Sequence, residues 1–127
     1  MAKKILIIDD DNEYIDATKA VLEAKGYEVI FANHGKTGFE KAKAEKPDLI
    51  LLDVMMDKLT EGFEVSRSFK EDEEVNTIPI ILVTGIRRDL NLQFKLDSDE
   101  EFLPVRSILE KPIKPNELLA EIRKYID

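Results

Sequence analysis

Asp9 and Asp10, Asp53, Thr84 and Lys111 are the polar residues whose types and settings suggest chemistry, because each follows a short apolar run. Ile5 to Ile8 leads into the acid pair, Leu49 to Leu52 into Asp53, Ile78 to Val83 into Thr84, and Ile108-Leu109 towards Lys111. If these runs are parallel strands, the polar groups gather at the carboxyl ends of four of them, where open α/β sheets bind ligands. Three carboxylates in one small pocket repel by about 4 kcal/mol per pair at about 4 Å and an effective dielectric near 20. Without a cation at least one of them tends to stay protonated. A hard divalent ion removes that conflict. Mg²⁺ is the expected cofactor, since it takes oxygen ligands and completes its shell with water and substrate phosphate; Mn²⁺ is the expected substitute. Asp53 is then a candidate carboxylate nucleophile towards a phosphoryl group. Lys111 can bind a second phosphoryl oxygen, and Thr84 can donate its hydroxyl to a third.

Each residue also has a plainer reading. Aspartates after a strand often cap the next helix, and Asp11 reads as a solvated residue near such a cap. Lys111-Pro112 and Thr84-Gly85 are ordinary turn dipeptides. The functional reading rests on the conjunction: an acid pair, an acid, a hydroxyl and an amine at four strand ends, in an order that fits one reaction.

The elements that must position these groups follow from patterning. Continuous rather than alternating apolar runs indicate strands buried on both faces, hence parallel pairing. Tyr27 to Phe31, which contains Glu28, reads as a wetter edge strand. Asn12 is the expected N-cap of a first helix burying Ile15, Val21 and Leu22, with Lys25-Gly26 as its stop. A second helix around Phe39 and Ala42 ends before Pro47, and a third runs from about Gly62 through Phe63, Val65 and Phe69. Pro115 opens a last helix with Leu118, Leu119, Ile122 and Ile126 on one face. Arg87 to Val105 reads as a fourth helix followed by a long loop. Five β–α repeats with short connections predict an α/β protein of three α/β/α layers around a five-stranded parallel sheet. A single domain over residues 1–127 is expected, with no output domain.

Composition narrows the function classes. A length of 127 residues allows one core in which roughly two thirds of the unfolded surface is buried. A net charge of −8 opposes direct nucleic-acid binding. The absence of cysteine excludes disulfides and thiolate chemistry. Apolar runs of about six residues fall far short of the roughly 20 needed to span a bilayer. The run after Met1-Ala2-Lys3-Lys4 is too short for a secretory leader. A cytoplasmic location without membrane insertion is expected. His34, the one histidine, stands between Asn33 and Gly35 and reads as a capping or surface residue rather than a phosphorelay group.

Four stretches, taken together, give the chain a resemblance to the response-regulator receiver family: Ile5-Leu6-Ile7-Ile8-Asp9-Asp10-Asp11, Pro47-Asp48-Leu49-Ile50-Leu51-Leu52-Asp53-Val54-Met55-Met56, Ile80-Ile81-Leu82-Val83-Thr84-Gly85 and Glu110-Lys111-Pro112. The resemblance covers essentially the whole chain. It implies the flavodoxin-like strand order 2-1-3-4-5. It implies that Asp53 is the phosphoacceptor, that Asp10, Asp53 and the Met55 carbonyl are metal ligands, and that Asp9 acts through a water. It also implies a sensor histidine kinase as phosphoryl donor, Thr84 as the hydroxyl that senses the phosphoryl group, and Lys111 as its cation. Such a protein is a stoichiometric phosphoryl acceptor rather than an enzyme, and it signals by switching a surface that a downstream protein binds.

Four departures from the family pattern stand out. Asp57 occupies the usual place of a proline, with one extra residue before Gly62. Ile108 replaces the aromatic often found three residues before the lysine. The segment from Thr84 to Lys111 is long and contains Phe102-Leu103-Pro104-Val105. Met55 and Ile86 take the places two beyond the phosphoacceptor and two beyond the threonine, so neither side chain can hydrogen-bond a hydrolytic water, and slow self-dephosphorylation is expected. Two rival functions remain at this stage. A haloacid-dehalogenase-like phosphatase would use Asp9-x-Asp11, Thr84 and Lys111, but it needs a later acidic pair that Glu117 and Glu121 do not supply, and it leaves Asp53 idle. A receiver-shaped interaction module that is never phosphorylated is opposed by the complete set of acid, hydroxyl and amine.

Overall fold

The computed structural model describes residues 2–54, 65, 67–84 and 105–126, with the backbone alone at 54, 84, 105 and 106. Five strands, β1 (Lys4–Ile8), β2 (Glu28–Ala32), β3 (Leu49–Val54), β4 (Ile80–Thr84) and β5 (Val105–Glu110), form one sheet of order β2-β1-β3-β4-β5. Every pairing is parallel. The expected order and the edge position of the second strand both hold.

The continuous apolar runs reflect burial on both faces. Leu6, Ile8, Ile50, Leu52, Ile80 and Leu82 enter one core, with Ala42, Val65 and Phe69. Their neighbours Ile5, Ile7, Leu49, Leu51 and Ile81 enter the other, with Ile15, Leu22, Leu118 and Ile122. Because successive side chains point to opposite faces, one run supplies two cores.

Helix α1 (Asn12–Ala24) corrects the expected cap. Asp11, not Asn12, is the N-cap, and its carboxylate accepts from the Glu13 and Tyr14 amides. Asn12 is the first helical residue. The acid wins because a carboxylate also complements the positive end of the helix. At the other end Gly26 takes φ +93°, the left-handed turn anticipated from Lys25-Gly26. Helix α2 (Gly35–Glu45) starts after His34, which stands at the N-cap position without a side-chain cap bond. The last helix, α3 (Pro115–Arg123), has proline in its first turn and buries Leu118, Leu119 and Ile122. Residues 67–71 are helical, and Phe69 there meets Phe39 of α2 edge-on at 5.2 Å. Gly62, Phe63, Met55, Ile86 and the expected fourth helix and loop lie outside the described residues.

Three strand limits also differ from expectation. Strand β2 begins at Glu28 rather than Tyr27, whose ring packs in the core beside Val29. Strand β4 begins at Ile80 because Pro79 has no amide to donate, although its carbonyl still accepts from Ile50. Strand β5 extends through Arg106, Ser107 and Glu110, polar residues that hide it in the sequence.

Helix α2 lies close on β1 through Gly38. A methyl built there would stand 2.5 Å from Ile8 Cδ1 and 2.7 Å from Cγ1. An exposed helical Gly→Ala change gains about 1 kcal/mol, whereas overpacking a core costs about 1–3 kcal/mol. Gly38→Ala is therefore expected to destabilise the protein by about 1 kcal/mol, read as a lower urea midpoint. An unchanged or higher midpoint would mean that Ile8 has room to rotate away.

Candidate functional site

The carboxyl ends of β1, β3 and β5 bring together Asp9, Asp10, Asp53 and Lys111. One carboxylate oxygen from each aspartate lies within 4.8 Å of the others. Asp9 continues β1, donating its amide to the Ala32 carbonyl at 3.0 Å, and is only 3% exposed. Both of its oxygens are engaged: Oδ1 accepts the Asp11 amide at 2.9 Å, and Oδ2 faces Lys111 Nζ at 3.4 Å. Asp10 is exposed at the rim. Asp53, near the end of β3, has a side chain 5% exposed, with Oδ1 2.9 Å from Lys111 Nζ. That oxygen is buried and has a charge partner, yet no hydrogen bond of good geometry reaches it.

Thr84 is placed by its backbone at the end of β4, paired with Val54 and Glu110. Met55, whose carbonyl was expected as a ligand, lies outside the described residues. The acids of the phosphatase reading do not assemble. Asp11 spends its Oδ1 on the helix cap and takes no part in the carboxylate cluster.

Among the described residues the charge in this pocket is unbalanced, since one ammonium does not neutralise three carboxylates. Burial pushes the Asp53 carboxyl up to about 6; the Asp9 and Asp10 charges add to that rise, while Lys111 opposes it. Burial likewise raises Asp9 above the ordinary carboxylate range, against the pull of the Asp11 amide and Lys111. For Lys111, burial works against the charge, but Asp53, then Asp9 and Tyr14, outweigh it and hold the ammonium above its ordinary range. A carboxylate that resists ionisation among other acids is what a cation would relieve. The donor set is made only of hard oxygens, which fits Mg²⁺.

Two residues of this neighbourhood carry no sequence signal. Asn33, just after β2, donates its amide to the Asp9 carbonyl at 3.1 Å and to Asn12 Oδ1 at 2.8 Å, clasping the acidic loop. Tyr14, in the first turn of α1, lies with its ring 4.0 Å from Lys111 Nζ. Neither belongs to a motif, and each meets the site only through the fold.

Comparison with known proteins agrees with this geometry. The family model described as "Response regulator receiver domain" matches residues 5–123. The polar-differentiation response regulator DivK of Brucella anthropi is 30% identical over 129 residues, covering 99% of this chain and 98% of that protein. The alkaline phosphatase synthesis transcriptional regulatory protein PhoP of Bacillus subtilis is 34% identical over 128 residues. There the match covers 99% of this chain but 49% of the relative, so the chain spans about half of that protein's length. A CheY-like response regulator receiver domain protein from Methanospirillum hungatei superposes with a TM-score of 0.80 at 32% identity, over 98% of this chain and 93% of the other. The receiver domain of the sensor histidine kinase PA1611 from Pseudomonas aeruginosa, with a magnesium ion coordinated in its active site cleft, shares the fold (TM-score 0.82, 23% identity, 99% and 98% covered). Sheet order, carboxylate cluster and family match converge, and the chain belongs to the response regulator receiver domain family of two-component signalling.

Proposed function

We propose that Asp53 is the residue that takes the phosphoryl group, with Lys111 and Thr84 as its partners and Mg²⁺ as the cofactor. The observation that carries this is the convergence of the Asp9, Asp10 and Asp53 carboxylates with Lys111 at one end of the sheet. Asp10, Asp53 and the Met55 carbonyl would hold the ion directly, and Asp9 through a water. The full engagement of both Asp9 oxygens supports that indirect part. When bound, the ion neutralises charge on the transferring group.

An Asp53 carboxylate oxygen attacks phosphorus. The new P–O bond forms as the P–N bond to the donor imidazole breaks, and the departing imidazole takes up a proton. Lys111 holds a phosphoryl oxygen beside Asp53, and the Thr84 hydroxyl donates to another. The donor is a phosphohistidine of a sensor histidine kinase, and transfer is stoichiometric. The protein acts in the cytoplasm, through a surface that a downstream protein reads. Among the described residues no helix is long and apolar enough to cross a membrane.

Shifting a switch from 1:99 to 99:1 takes about 5.5 kcal/mol. Two charge-assisted contacts at about 1.5–3 kcal/mol each supply only part of that, and a partner that prefers the active state completes it. The switch works without an aromatic flip. Ile108 on β5 is 6% exposed within the core that includes Phe69 and Leu82, and its branched side chain is stiff about χ1.

Incubation with acetyl phosphate and Mg²⁺ should add one phosphoryl group by intact mass, and Asp53→Asn should add none. No uptake by the parent protein would leave the interaction-module reading standing. Once formed, the phosphoprotein is expected to decay slowly, because Met55 and Ile86 bring no hydrogen-bonding side chain to a water. One gained hydrogen bond at about 1–1.5 kcal/mol corresponds to about ten-fold in rate. The double change Met55→Asn with Ile86→Glu should therefore shorten the lifetime about ten-fold or more, and equal decay curves in Mg²⁺ would refute the explanation.

A further inference from the structure

Three described groups surround the Lys111 ammonium. Asp53 Oδ1 stands at 2.9 Å, Asp9 Oδ2 at 3.4 Å, and the face of Tyr14 at 4.0 Å from ring centroid to Nζ. A lysine ammonium is a strongly hydrated point charge on a flexible stem, so holding it in one place requires something to replace its water. The two carboxylates do this on one side. An aromatic face within about 6 Å, negative at its centre, does it on another.

The ring is itself held firmly. Tyr14 is half-buried in the first turn of α1, its amide donates to the Asp11 cap at 3.2 Å, and its hydroxyl lies near Thr18, a buried residue one turn on. A half-buried ring on a capped helical turn forms a wall beside the lysine.

We propose that Tyr14 is a positioning residue for phosphoryl transfer, its ring face holding the Lys111 ammonium against Asp53, where the oxygens of an incoming phosphoryl group must be met. Removing the wall opens a second direction in which the lysine side chain can swing and rehydrate. The change replaces none of the three clustered carboxylates. The proposal rests on Asp53 being the phosphoacceptor and Lys111 the group that meets the phosphoryl oxygens.

The test compares Tyr14→Phe with Tyr14→Leu, using acetyl phosphate as donor at saturating Mg²⁺. The Leu variant should label roughly five- to ten-fold more slowly at saturating donor, with Mg²⁺ affinity within about two-fold of the parent. Phe keeps the ring face and should restore the rate to within about two-fold. An NMR signature accompanies this. The protons of the Lys111 ε-methylene, one bond from the ammonium that stands 4.0 Å from the ring centroid, should be shifted upfield in the parent and the Phe variant and should return to ordinary lysine positions in the Leu variant. A Leu variant that labels at the parent rate, or a Phe variant as slow as Leu, would overturn the role of Tyr14 alone. A parent protein that takes no label would overturn the Asp53 reading first, and this proposal with it.

Discussion

Asp53→Asn is expected to stabilise the metal-free protein at pH 7 by as much as about 3 kcal/mol, even as it removes the proposed site of phosphorylation. The Asp53 carboxyl is pushed from its ordinary 3.8 up to about 6, chiefly by burial, and each pKa unit corresponds to about 1.4 kcal/mol. The sign follows from proton binding. Between about pH 4 and 6 the folded protein holds more protons at this residue than the unfolded chain does, so stability from this group falls as pH rises through that window. The penalty is complete above about pH 6 and absent below about pH 4. A neutral amide never incurs it. Urea unfolding at pH 5 and pH 7 should show a stability gap in the parent that narrows in the variant. Mg²⁺ should close the parent's gap at pH 7 by binding the folded state, with much less effect on the variant. A variant less stable than the parent at pH 7 without Mg²⁺ would mean that the Lys111 pairing, not burial, dominates Asp53.

Lys111→Met carries the largest expected effect on rate. The replacement has similar length and no charge, so the position that should bind a phosphoryl oxygen keeps its shape but loses its donor. Removing one such preorganised donor costs about 10²–10³ in rate, and labelling by acetyl phosphate should slow by that amount. Mg²⁺ binding should move the other way. Lys111 lies within 3.4 Å of two carboxylates of the cluster and repels any cation placed among them. Its removal should tighten Mg²⁺ by about ten-fold, equivalent to 1.4 kcal/mol of relieved repulsion. Opposite signs in the two measurements separate a chemical role from a structural one. If Mg²⁺ bound more weakly, Lys111 would be organising the acidic loop; if labelling were unaffected, it would have no part in the chemistry.

What could be read from the sequence was what depends on composition over a few residues. Ile5 to Ile8 and Leu49 to Leu52 announced strands because burial on both faces demands apolar residues at every position, and the polar group ending each run marked the site. Wherever one residue's competition with its neighbour decides, the sequence was ambiguous. Asp11 and Asn12 are both good caps, and the charge of the helix terminus settled the matter for the acid. Strand β5 was read as Ile108-Leu109 because Arg106, Ser107 and Glu110 interrupt the apolar pattern of an edge strand. Tyr14 and Asn33 were missed for a different reason. A tyrosine in a first helical turn and an asparagine after an edge strand are unremarkable by type, and they acquire meaning only from Lys111 and Asp9, far away in sequence.

That remoteness bears on when the protein can receive a signal. Asp9 and Lys111 are 102 residues apart, and β5 reaches the acids only through β4 and β3, the strands that separate it from β1. Parallel sheets assembled from such distant segments form their last contacts late. A chain still missing its fifth strand has the acids but no lysine beside them. On the proposed mechanism, phosphorylation at full rate would therefore have to wait for completion of the sheet.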